Sequence, residues 1–126
     1  MKITLLGAGA WGTALAIAFA GKHDVTLWSR EADVAVDLQK TRENTRFFPG
    51  YKLPETVGVV TDFAAAVAGA ELLIVATPIA GLRPTAERLK EVGCTLPLLW
   101  VCKGFEAGSG KLPHQVVAEV LGMQAI

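Results

Sequence analysis

Cysteine and histidine are scarce in this 126-residue chain, with two of each, and neither charge sign prevails, since 12 Lys and Arg balance 12 Asp and Glu. Each shortage closes off a class of function. Cys94 and Cys102 supply neither a disulfide framework nor the paired spacing of a metal site, so a reducing cytoplasm and no metal are expected. The zero formal net charge argues against a nucleic-acid footprint and against a basic membrane patch. No apolar run reaches the roughly 20 residues needed to cross a bilayer, and the N-terminus lacks the charged, apolar, small-residue order of a signal peptide. Membrane insertion is therefore not expected. His23 reads as a turn residue at a helix end and His114 as part of a helix's first turn, with no nucleophile partner visible for either.

What the chain does have is apolar residues, at 52%, and 13 glycines, in a length that suits one ordinary domain spanning residues 1–126. Its organising stretch is the beginning. Lys2 to Leu6 is a short apolar run with a β-branched member, Gly7-Ala8-Gly9-Ala10-Trp11-Gly12 carries glycines at G-x-G-x-x-G spacing, and an alanine-rich run from Thr13 to Ala20 has helical propensity. Strand, tight turn and helix in that order suit a dinucleotide. Gly7 permits the turn, Gly9 lets the backbone approach the pyrophosphate, and Gly12 lets the helix pack close to the strand. The unpaired N–H groups near Ala10, Trp11 and Gly12 then face the phosphates at the positive end of the helix dipole.

Further along, Val25 to Trp28 reads as a second strand closing a βαβ unit. Ser29-Arg30 follows, about twenty residues past the glycines, where a site for NAD usually offers an acidic residue to the ribose hydroxyl. An arginine there forks onto a 2′-phosphate, so NADP is the expected preference, with NAD left open and Glu31 able to neutralise part of the charge. Glu31 to Lys40 reads as an outer helix, and Thr41 to Pro54 as a long, aromatic, turn-rich loop. Its aromatics either cover a cofactor ring or clamp the loop to the domain. Arg42 and Arg46 are expected to be solvated. Val57 to Val60 is a short strand, Thr61-Asp62 caps a helix over Phe63 to Val67, and Glu71 to Ala76 is the clearest buried strand. The turn from Thr77 to Gly81 should line a cofactor crevice beyond the strand ends, before a helix from about Leu82 to Val92 with Pro84 in its first turn. Leu98 to Cys102 forms the next strand. Lys103 and Gly104 sit at its carboxyl end, and Pro113 leads into a last helix over His114 to Leu121. These elements give an α/β fold of the Rossmann type, a doubly wound, mostly parallel sheet with helices on both faces.

Taken together, Gly7 to Ala16, Leu27-Trp28-Ser29-Arg30, Asn44-Thr45-Arg46-Phe47-Phe48-Pro49, and Lys103-Gly104-Phe105-Glu106 with Gly110 resemble the bacterial NAD(P)-dependent glycerol-3-phosphate dehydrogenases. The resemblance runs through essentially the whole chain. It implies that Trp11 and Arg30 contact the dinucleotide, that Lys103 lies near both nicotinamide and substrate, and, less directly, that Phe47 belongs to the cofactor site. Ala10 and Ile79 stand where many members have serine, which removes hydroxyl contacts but keeps backbone ones. The implied chemistry is reversible hydride transfer between NAD(P)H and dihydroxyacetone phosphate, giving sn-glycerol 3-phosphate for phospholipid synthesis. In that family a C-terminal helical domain, absent from this chain, holds the catalytic base and most of the substrate pocket, so no catalytic residue is assigned before Ile126. A homodimer is left open for the longer protein. Two alternatives stand beside this one: the cofactor domain of a related β-hydroxyacid or ketoacid reductase, and a non-catalytic nucleotide-binding or sensing module.

Overall fold

In the computed structural model, which describes residues 1–122, five parallel strands form a sheet in which alternate residues feed two separate cores. The strands are β1 (Lys2–Leu6), β2 (Asp24–Trp28), β5 (Gly58–Val60), β6 (Leu72–Val75) and β7 (Leu98–Trp100), in the order β5-β2-β1-β6-β7. β1 is central, with Leu5 opposite Leu27 on one side and Ile74 on the other. Because side chains alternate across a strand, Leu5 and Leu27 enter one core and Leu6 and Trp28 the other. Burial on both faces explains why these strands read as continuous apolar runs.

The helices divide accordingly. α1 (Ala10–Phe19) and α2 (Ala32–Thr41) cover the Leu5 face through Ala16, Val34, Ala35 and Leu38. α3 (Phe63–Ala68), α4 (Ile79–Glu91) and α5 (Pro113–Leu121) cover the Leu6 face through Phe63, Val67, Leu82, Leu89 and Val116. The expected Rossmann-type architecture is what the chain adopts. The chain leaves β1 and β6 in opposite directions, so the crevice between their carboxyl ends is the topological switch point at which ligands of this fold collect. Local signals work as read: the Asp62 side chain accepts from Ala65 N at 3.1 Å at the start of α3, and Pro113 opens α5.

Four expectations are corrected. The Thr41 to Pro54 segment is not an irregular loop but holds an antiparallel hairpin of β3 (Glu43–Asn44) and β4 (Phe48–Lys52). Arg42 is not simply solvated. It takes a left-handed conformation, φ 61°, at the end of α2, and its Nη2 donates at 2.7 Å to the carbonyls of Pro54 and Val57, pinning both ends of the hairpin. Pro84 lies inside α4 rather than in its first turn, because the helix begins three residues earlier, directly after Pro78. The β7 ladder stops at Trp100, so Cys102 lies beyond the strand, although it remains buried. The last four residues of the 1–126 domain fall outside the described residues.

Candidate cofactor site

The glycine turn is shaped by contacts that exclude side chains at two of its three glycines and invite a ligand at the third. Gly7, with φ +123°, donates its N–H to Trp28 O, and a Cβ there would lie 2.9 Å from the Ala76 backbone. A Cβ on Gly12 would lie 1.9 Å from Gly7 O, so α1 rests directly on the turn. Gly9 meets nothing within 4 Å. It is the N-cap of α1, whose first intrahelical bond runs from Thr13 N to Gly9 O, leaving the amides of Ala10, Trp11 and Gly12 without helical acceptors. The first turn carries no acidic residue to offset the dipole.

This turn forms one wall of a cavity of about 950 Å³ at the carboxyl ends of the strands. Gly7, Gly9, Ala10, Trp11, Arg30, Phe47 and Lys103 all line it, and Gly12 packs behind the wall. Seven of the eight nominated residues are thus brought to one space by β1, β2, β7 and the hairpin. Trp11 is exposed at 66%, available to a ligand at the opening. The Thr77 to Gly81 turn lines the same cavity, as expected.

At the end of β2, buried Ser29 turns inward and exchanges hydrogen bonds with the Glu31 backbone, while Arg30 is exposed. Glu31 does not pair with Arg30. Its carboxylate accepts from Arg46 Nη1 at 2.7 Å, and among the described residues Arg30 forms no ion pair. Arg46, expected to be solvated, also lies 4.9 Å from the Phe47 ring centroid, and its bond to Glu31 ties the hairpin tip to the N-terminus of α2.

Asn44 carries a role that sequence reading missed. It is 1% exposed, and its Nδ2 donates to Ala8 O at 2.7 Å and Thr13 Oγ1 at 2.8 Å while its Oδ1 accepts from Phe47 N at 3.1 Å. One amide joins the glycine turn, α1 and the hairpin. An asparagine in a turn-rich stretch carries no one-dimensional mark of such a role.

The opposite rim is built by the segment after β7. Lys103 is exposed there, next to Gly104 at φ +94°. Three residues on, Glu106 takes a two-pronged hydrogen bond from Arg83 of α4, Nε at 2.8 Å and Nη2 at 2.9 Å, and a third from Ser109 Oγ at 2.6 Å. These bonds hold its carboxyl well below the usual range, at about 2. Arg83 also reaches Glu119 of α5 at 3.2 Å, and Lys111 bonds the same carboxylate, so the rim is tied to both helices beneath it. Burial pushes the Cys102 thiol up, which keeps it protonated beside Thr77 Oγ1.

A family model for the N-terminus of NAD-dependent glycerol-3-phosphate dehydrogenase matches residues 2–126. The chain belongs to that family. It is 82% identical over 126 residues to the glycerol-3-phosphate dehydrogenase (NAD(P)+) of Dechloromonas aromatica (strain RCB), covering 100% of this chain and 38% of that protein. Against the enzyme of the same name from Aromatoleum aromaticum (strain DSM 19018 / LMG 30748 / EbN1) the identity is 52% over 125 residues, 99% of this chain and 38% of the relative. A crystal structure of glycerol-3-phosphate dehydrogenase from Coxiella burnetii superposes with a TM-score of 0.89 at 36% identity, covering 98% of this chain and 38% of that one. The chain therefore spans about 38% of the length of these glycerol-3-phosphate dehydrogenases, their N-terminal part. Membership favours this family over the related hydroxyacid and ketoacid reductases.

Proposed function

We propose that this chain is the cofactor half of an enzyme that moves hydride reversibly between NAD(P)H and dihydroxyacetone phosphate, producing sn-glycerol 3-phosphate for phospholipid synthesis in the cytoplasm. The observation that carries this reading is the gathering of the glycine turn, Arg30 and Lys103 around one cavity at the switch point of the sheet. The fit to a dinucleotide rests on Gly9, where open space adjoins three amides without helical acceptors. The bound nicotinamide supplies the hydride. The amides of Ala10, Trp11 and Gly12 hold the pyrophosphate, and Trp11 and Phe47 screen the cofactor from water. Arg30 grips a 2′-phosphate, favouring NADP over NAD, because the carboxylate beside it is already held by Arg46. Lys103 reaches from the far rim toward nicotinamide and the substrate's polar groups.

Turnover needs more than this wall. Reducing a ketone requires a proton donor within hydrogen-bond reach of the carbonyl oxygen and a surface that holds the substrate against the nicotinamide. Losing that positioning alone forfeits roughly 7–11 kcal/mol of barrier lowering, so the chain by itself is expected to bind cofactor without catalysing turnover. Calorimetric titration with NADPH and NADH, followed by nicotinamide absorbance in the presence of dihydroxyacetone phosphate, tests both halves. Saturable binding with flat absorbance supports the reading, and sustained oxidation would place a catalytic group within these residues, with His23 and His114 the first to examine.

A further inference from the structure

Arg88 lines the cavity together with Ser29 and Arg30, yet neither the fold nor the roles above account for its position. Its guanidinium carbon lies 5.5 Å from the ring centroid of Trp28 and 5.6 Å from that of Phe63. Those rings meet edge to face with centroids 5.0 Å apart, and Trp28 Nε1 donates to Thr61 O at 2.9 Å, so the platform beneath the guanidinium is fixed. The residue is exposed, and among the described residues no carboxylate pairs with it. A basic residue in the last turn of α4 complements the helix dipole, but Lys90 does that two positions on without standing in the cavity.

Trp28 ends β2 and leads straight into Ser29-Arg30, the place this fold gives to the adenosine ribose. The purine is bonded to the sugar carbon next to the 2′ position, so a ribose at Arg30 sets the base within a ring's width of it. On the α4 side of that point the cavity wall is low. Gly81 has no side chain, Pro84 presents a flat ring, and Thr85 is buried with its hydroxyl bonded to Gly81 O at 2.8 Å. The wall ends in Arg88.

On the cofactor reading above, we infer that the adenine ring of NAD(P)H lies along this wall and that Arg88 recognises it, its N–H groups facing the acceptor nitrogens of the base. The planar cation, already held within cation–π distance of the Trp28 and Phe63 rings, is preorganised for that contact, whereas a lysine would present a hydrated point charge. Because adenine is common to both cofactors, Arg88 sets how tightly a dinucleotide binds and Arg30 sets which one.

Calorimetric titration of Arg88→Met, Arg88→Lys and Arg30→Ala with NADPH and NADH separates these roles, with unliganded thermal unfolding as the control. Methionine keeps an apolar stem over Trp28 and removes the donors. Arg88→Met is expected to weaken NADPH and NADH by the same factor, roughly tenfold, leaving their ratio as in the wild type. Arg88→Lys should lose most of that affinity as well, and remains informative if the methionine variant does not fold. Unchanged affinity in both variants, or a loss confined to NADPH, overturns the assignment of Arg88 to the base. Failure of the wild-type chain to bind either dinucleotide would instead overturn the cofactor reading itself, and this inference with it.

Discussion

Asn44 reaches across 36 residues of sequence to donate a 2.7 Å hydrogen bond to the carbonyl of Ala8, in the middle of the glycine turn. Thr13 Oγ1 accepts the second proton of the same amide. Removing a buried partner leaves unsatisfied groups behind, so Asn44→Ala should cost about 1–3 kcal/mol in urea unfolding and also weaken dinucleotide binding. Asn44→Asp should do worse at neutral pH, since a carboxylate has no proton to give to Ala8 O. Equal stability of wild type and Asn44→Ala would show that the tie is not maintained in solution.

Glycines 9 and 12 should respond in opposite ways. Gly9→Val adds a side chain where nothing lies within 4 Å, so the unliganded fold should change by no more than a lost N-cap preference, about 1 kcal/mol, while NADPH binding fails. At Gly12 even one methyl would sit 1.9 Å from Gly7 O, so Gly12→Ala should lower stability by about 3 kcal/mol or more before any ligand is added. Circular dichroism melts read alongside calorimetry separate the two effects.

Arg30→Ala should weaken NADPH by roughly 1.5–3 kcal/mol, the range for hydrogen bonds to charged groups, and leave NADH nearly unchanged. The companion variant Arg46→Gln frees the Glu31 carboxylate from its cationic partner at 2.7 Å and should weaken NADPH further if that pairing keeps the carboxylate away from the phosphate. Matched losses for both cofactors in Arg30→Ala would remove the 2′-phosphate role.

The Glu106 anchor predicts a pH dependence with a definite sign. Its carboxyl is lowered from 4.5 to about 2, chiefly by the Arg83 hydrogen bonds and then by Ser109. A depressed acid contributes stability that is fully present above the unfolded-state value and is lost as pH falls through the folded one. The advantage of wild type over Glu106→Gln in urea midpoints should therefore hold at neutral pH and shrink as pH drops from 4.5 toward 2. A constant gap across that window would mean the anchor does not form.

The residue string by itself determined the alternation of strands and helices and the glycine turn. Each of these rests on short-range chemistry: apolar runs that must be buried, a proline that opens α5, an aspartate that caps α3, and glycines where a side chain would collide. Tertiary structure alone decided the rest. Arg42, Arg46 and Glu106 are ordinary surface residue types whose partners lie 12, 15 and 23 positions away, and the hairpin between Glu43 and Lys52 is held in place by Asn44 on the carbonyl of Ala8 and by Arg42 on the carbonyl of Pro54. Propensity puts Pro84 in a first turn, whereas the helix start is set by Thr77-Pro78 leaving the end of β6. Local patterns encode what a segment prefers. Which distant polar group satisfies a buried donor depends on how the segments pack, and that information exists only once the sheet has brought them together.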